Sequence, residues 1–282
     1  MHEVKPGIYY TDNYPGITVG AISLPHGIIF IDTPLHPEAG YTWKSNFLDD
    51  NKDFNYKLLV YLDAHPDRTI GVKAFKDYPI IAHKKTAASI RERPVIFRGE
   101  LPKSGSEWEK HSETSGLRWI IPQMTFTKKI AFHWGGAATL LEHHPGPRPG
   151  ASWVIVPNHK VAFVGDAVLH NNPPFLAHAD IPQWLETLNI LRGPDFEGFT
   201  IISSRGGPVS PAIINEQYKN LEYLLKRTEK LAKKNAPPEA VSDLASAVLN
   251  NFTTITGDDD FYLQRLRYGL YQYYMKHYVS KT

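Results

Sequence analysis

The sequence contains no cysteine. That excludes a disulfide framework and every thiolate metal site, so any metal would have to be held by histidines and carboxylates. It also lacks an apolar run near the roughly 18 residues that a membrane span requires. The N-terminal Met1-His2-Glu3-Val4-Lys5-Pro6 has no apolar stretch of signal-peptide type. The expectation is a soluble cytoplasmic protein with no membrane partner. It has little excess of charge of either sign, the formal total being +2. The densest basic stretch, Lys226 to Lys234, is interrupted by Glu229 and Leu231 and reads as a solvated helix face. No nucleic-acid partner is expected from such a distribution.

What is present is core-forming material. Hydrophobic residues make up 42% of the 282 positions and aromatics 12%, ample for a large packed interior. Ile17 to Leu24 and Ile28 to Ile31 read as strands around a Pro25-His26-Gly27 turn, and Ala39 to Leu48 as a helix. The continuous apolar run Lys57 to Leu62 predicts a strand covered on both faces, with a polar loop starting at Asp63. Gly71 to Lys76 reads as a helix and Pro79 to Ala82 as another buried strand. This alternation is the α/β pattern. Residues 93–116 read as an insertion or lid over one end of the sheet.

Short strands then follow at Gln123 to Phe132, Ala138 to Glu142, Ala151 to Pro157, Val161 to Val164 and Phe199 to Ser203. Trp184 to Arg192 is a helix introduced by Asp180 as N-cap. From Pro211 the pattern becomes helical: Leu221, Leu224, Leu225, Thr228 and Leu231 share one face, Pro237-Pro238 breaks the run, and helices follow over Glu239 to Asn250 and Phe261 to Val279. Tyr268, Tyr271, Tyr274 and Tyr278 recur at helical spacing. They suggest packing between domains or a homodimer contact through the C-terminal aromatic helices.

Polar clusters stand at strand ends, where α/β folds place their sites: Asp32; Asp63-Ala64-His65-Pro66-Asp67-Arg68; Pro145 to Gly150; Gly165-Asp166; and Ser204-Arg205-Gly206-Gly207-Pro208. In this order and at these separations, 18 residues lying between Pro147 and Asp166, the chain resembles the metallo-β-lactamase superfamily over residues 7–210. GIIFIDTP is similar to that family's early strand and Asp turn, and LVYLDAHPDRTIG to the strand and loop that usually carry HxHxDH. HHPGPRPGAS is similar to its PGHTPGS turn, and VAFVGDAV to the strand delivering a bridging Asp. The resemblance implies an α/β fold, an αββα sandwich over 1–210 with a C-terminal helical extension over 211–282.

It also implies where metals would sit, and there the chain departs from the pattern. The first metal position would comprise Asp63, His65 and Pro147, the second Asp67, Arg68 and Arg205, with Asp166 as the bridge. Proline offers no donor atom, and a guanidinium stays protonated and cannot ligate a metal. The usual di-metal hydrolysis is therefore not expected, and no cofactor is favoured. The alternative is a hydrolase using one Zn, Fe or Mn ion on Asp63, His65 and Asp166, with His143 or His144 as a substitute ligand. In the favoured reading Arg68 and Arg205 replace the dication, His65 and Asp67 are the candidates for acid–base chemistry, and the cleft of Asp63, His65, Asp67, Arg68, Arg148, Asp166 and Arg205 binds an anionic small molecule.

Overall fold

In the computed structural model, residues 1–48, 54–98, 104–252 and 258–279 are described. Strands β1 (His2–Lys5), β2 (Ile8–Tyr14), β3 (Ile17–Leu24), β4 (Gly27–Ile31), β5 (Tyr56–Tyr61), β6 (Ile80–His83) and β7 (Met124–Phe126) form one sheet in sequence order. The first four are antiparallel neighbours and the last three add on in parallel. A second sheet has the order β13 (Gly207–Val209), β12 (Thr200–Ser203), β11 (Val161–Gly165), β10 (Ser152–Val156), β9 (Thr139–His143) and β8 (Lys129–Phe132).

Alternation along the strands sorts side chains between layers. Ile29, Ile31, Leu58, Val60, Val154, Val156, Val161 and Phe163 point between the sheets and make the central core. Their neighbours Ile28, Phe30, Leu59 and Tyr61 face outward and pack with Trp43 of helix α1 (Pro37–Ser45). On the other side Trp153, Ile155, Ala162 and Val164 pack against α3 (Ile181–Leu191), α4 (Pro211–Lys233), α5 (Ser242–Leu249) and α6 (Asp259–Tyr274). The result is the expected αββα sandwich followed by C-terminal helices.

Several local expectations change. Gln123 to Phe132 is not one strand: Met124–Phe126 closes the first sheet and Lys129–Phe132 opens the second, so the chain changes sheets at Thr127-Lys128. Gly71 to Lys76 holds only a 3₁₀ turn, Val72–Phe75. Helix α2 (Lys84–Arg91), β1, β2 and β13 were not read from the sequence. Of the insertion, 99–103 lies outside the described residues; 104–116 carries two 3₁₀ turns, Glu107–Lys110 and Ser112–Thr114. Asp180 accepts the Gln183 amide at 3.0 Å, as expected of an N-cap, and the helix starts at Ile181. Tyr274 is 1% exposed, and Tyr271 and Tyr278 pack partly buried beside it against the helical core.

Candidate functional site

The strand-end loops converge at one edge of the two sheets. Asp32 follows β4 and takes up the left-handed conformation (φ 57°), which aspartate tolerates better than most residues. One of its oxygens accepts the Leu62 amide at 2.9 Å; the other faces the Arg68 guanidinium at 3.1 Å. Asp63, after β5, accepts the His65 amide at 2.7 Å and bonds Arg68 Nη2 at 2.6 Å. Asp166, after β11, sits 3.2 Å from Arg68 Nη2 and 3.3 Å from Arg205 Nε. Arg205, after β12, reaches Asp67 at 3.2 Å, His65 Nδ1 at 3.1 Å and the Gly16 carbonyl at 2.9 Å. All of these side chains are at most 4% exposed.

Two arginines thus stand among four carboxylates, and each carboxylate feels that differently. Burial pushes Asp32 up to about 7 despite Arg68, with Asp63 and Asp166 adding to the rise. Burial acts the same way on Asp63, but Arg68 and then Arg148 hold it below the usual carboxylate range. Burial disfavours the charged form of Arg68 too, yet Asp166, Asp63 and Asp32 together raise its pKa. His65 is pushed well below the usual imidazole range by burial and then by Arg205, so it is neutral at pH 7. With Arg205 donating to Nδ1, its proton lies on Nε2, which makes no hydrogen bond.

The insertion closes over this cluster through its backbone. The amides of Glu107 and Trp108 donate to Asp67 at 3.1 and 2.9 Å. Ser106 and Glu109 form a capping box that starts the Glu107–Lys110 turn. Phe175 packs its ring against His65 (4.4 Å between centroids) and against the guanidinium carbons of Arg205 (4.5 Å) and Arg265 (4.0 Å).

Beyond Phe175 lies a cavity of about 140 Å³, and its wall differs from the expected one. Arg68 and Arg205 do not line it; their guanidiniums are occupied by the carboxylates. The cations that do are Arg93, Arg148 and Arg265, beside Ser104, Ser106 and Tyr268. Arg148 was expected in this place; Arg93 and Arg265 were not. Arg265, 1% exposed, donates to the Gly105 and Pro173 carbonyls and to Asn172. Arg93 donates to the Ala64 carbonyl, stacks on Trp119, and leaves Nη1 buried without a partner. Among the described residues neither pairs with a carboxylate, and burial pushes both down to about 9. The Arg148 carbonyl accepts the Ala151 amide, while its guanidinium has no hydrogen bond or ion pair among the described residues.

The other residues singled out from the sequence have structural partners. His143 bonds the Pro149 carbonyl and stacks on His83; His144 bonds Glu142 and stacks on Trp153. Neither points to a metal role. Trp184 is fully buried and donates to the Ala167 carbonyl. His170, Asn171 and Asn172 line a separate cavity of about 150 Å³.

At the strand ends the Arg68 and Arg205 guanidiniums stand within 2.6–3.3 Å of Asp63, Asp67 and Asp166. Among the described residues, the group of three His and carboxylate donors close enough for one ion is His36, His111 and Glu113.

Residues 64–197 match the family described as Metallo-beta-lactamase superfamily. No curated protein matches the chain. Solved structures share the fold: a metallo-beta-lactamase from Pontibacter korlensis, 18% identical over 78% of this chain and 97% of that one, has a TM-score of 0.58. A metallo-beta-lactamase family protein from Thermus thermophilus is 17% identical over 97% and 94%, with a TM-score of 0.64. The stereoselective inverting sec-alkylsulfatase Pisa1 from Pseudomonas sp. is 14% identical over 98% of this chain but 49% of its own, with a TM-score of 0.68.

Proposed function

The chain has the metallo-β-lactamase fold, and its residues 64–197 belong to that superfamily; from that premise we propose that its strand-end site works without the paired metals and that the neighbouring cavity binds a small anion. The observation that carries the proposal is the convergence of Arg93, Arg148 and Arg265 on one cavity whose wall contains no acidic residue. Counting the cluster behind it, five guanidiniums face four carboxylates, an excess of one positive charge. That excess grows if Asp32 takes up a proton near neutral pH. A compact carboxylate or phosphate group matches both the charge and the forked geometry of arginine.

Hydrolysis of the superfamily's kind relies on metal to lower the pKa of bound water to about 7. Here Arg68 and Arg205 take the positions next to Asp63, Asp67 and Asp166, and they supply fixed positive charge without a water ligand. The candidates for acid–base chemistry are poorly placed for it. Asp67 is held by Arg205 and two lid amides, and His65 is fully buried beneath Phe175. A ligand-binding role therefore suits the site better than a catalytic one.

The test is calorimetric titration of the full chain with inorganic phosphate, pyrophosphate and citrate, glycerol serving as neutral control. At least one anion is expected to bind with one site per chain. The variant Arg148→Ala, which removes no ion pair, should weaken it about tenfold or more, the loss of a charged hydrogen bond being worth about 1.5–3 kcal/mol. No binding of any of the three anions, or binding indifferent to Arg148→Ala, would refute the proposal.

A further inference from the structure

We propose that His36, His111 and Glu113 form a divalent metal site of the zinc class that fastens the lid to the body of the protein. The site is distinct from the strand-end cluster and does not depend on the anion-binding reading. His36 comes from the loop between β4 and α1, while His111 and Glu113 flank the start of the Ser112–Thr114 turn of the lid. Segments about 75 positions apart in sequence thus present two imidazoles and one carboxylate to a common point.

The spacing suits coordination. Glu113 Oε1 lies 3.1 Å from His111 Nδ1 and 3.6 Å from His36 Nε2, and one ligand atom from each of the three lies within 4.8 Å of the others. A tetrahedral zinc with bonds of about 2.0–2.1 Å needs ligand atoms about 3.3 Å apart, between those two distances. The imidazole rings meet edge to face at 5.0 Å, so both nitrogens can aim at the carboxylate without stacking. Beyond His111 stands a second carboxylate: its Nε2 is 4.0 Å from Glu107. At that distance Glu107 is too far to hydrogen-bond His111 and adds only negative charge beside the site. Two neutral imidazoles and one carboxylate favour a borderline cation over calcium or magnesium. Partial exposure of all three side chains leaves a position open for water.

The surroundings hold the three donors in place before any metal arrives. Leu35, next to His36, packs with Trp108, Phe97 and Ile70 in a small buried cluster under the lid. Thr114, 1% exposed, bonds the His111 carbonyl through both its amide and its hydroxyl, which sets the turn bearing His111 and Glu113. An ion here would therefore join two segments already packed together. Ser104, Ser106 and Trp108 of the same lid line the arginine cavity.

The experiment is equilibrium dialysis of the full chain, stripped with chelator, against zinc chloride, with metal measured by elemental analysis. One zinc per chain is expected, and tryptic cleavage after Lys110 should slow when zinc is added. His36→Ala, Glu113→Gln and the double change His36→Ala/His111→Ala should each weaken binding at least about tenfold, since even partners behind the ligands are worth that much. They should also abolish zinc protection of Lys110. All three side chains are partly exposed, so the metal-free variants should melt close to the wild type, and Glu113→Gln alone tests the site should a histidine variant misfold. Zinc retained equally by the double variant and Glu113→Gln, or no stoichiometric zinc on the wild type, would overturn the proposal.

Discussion

Arg205 Nη2 and Asp67 Oδ2 lie 3.2 Å apart, both out of contact with water, and among the described residues Asp67 pairs with no other arginine or lysine. The pair joins the loop after β12 to the loop after β5 and so links the two sheets at their functional edge.

Removing the guanidinium should therefore be costly. Arg205→Met would leave Asp67 and Asp166 buried with less compensation, and breaking one side of a buried pair usually costs about 3–5 kcal/mol. Urea unfolding should show a loss of that order. A loss below about 1 kcal/mol would mean that the cluster readily admits water.

His65 should leave a mark on pH-dependent stability. Its pKa is depressed in the folded protein, so between that depressed value and the unfolded value near 6.5 the unfolded chain binds more protons. Its contribution is whole above pH 6.5 and declines as pH falls. Relative to His65→Gln, the wild type should lose about 1.4 kcal/mol per pH unit on acidification below 6.5. Asp32 acts in the opposite sense. With its pKa raised from 3.8 to about 7, the folded state holds the extra proton and its contribution falls as pH rises through that window. Parallel pH profiles for wild type and His65→Gln would contradict the depressed pKa.

Asp67→Asn tests how the lid is held. The substitution removes the charge that receives the Glu107 and Trp108 amides and pairs with Arg205. Hydrogen exchange at those two amides should accelerate about tenfold or more, as expected for losing one to three kcal/mol of local anchoring. Unchanged exchange would place the anchoring in the Leu35–Trp108 contact instead.

Phe175→Leu keeps an apolar side chain but removes the ring faced by Arg205 and Arg265. Two partly desolvated cation–π contacts predict a loss of about 1–4 kcal/mol in unfolding free energy. Stability equal to the wild type would reduce Phe175 to a spacer.

The sandwich and the loops bearing Asp32, Asp63, Asp67, Asp166 and Arg205 were legible because each follows a continuous apolar strand, and the sheet brings strand ends together whatever lies between them. Which arginines line the cavity was not legible. Local sequence places Arg68 and Arg205 in a cleft, but only packing reveals that carboxylates occupy them. Arg93 and Arg265 come from the insertion and from α6, elements whose position depends on tertiary contacts. Arg265 did carry a signal: it shares a stripe with Tyr262, Leu266, Gly269 and Tyr273, and a charge on an apolar face needs a reason. His36, His111 and Glu113 escaped notice because no motif spacing links positions so far apart.

The lid is docked onto Asp67 by main-chain amides, which every residue except proline possesses. Of the lid residues that border the arginine cavity, Ser104 bonds Ser106 and Glu109 of the lid itself, so its exchange would leave the Asp67 contacts in place, whereas Ser106 caps the turn and Trp108 packs with Leu35. Selectivity of the proposed anion site can in this way drift by substitution at the lid's free edge, with the cationic floor beneath it left untouched.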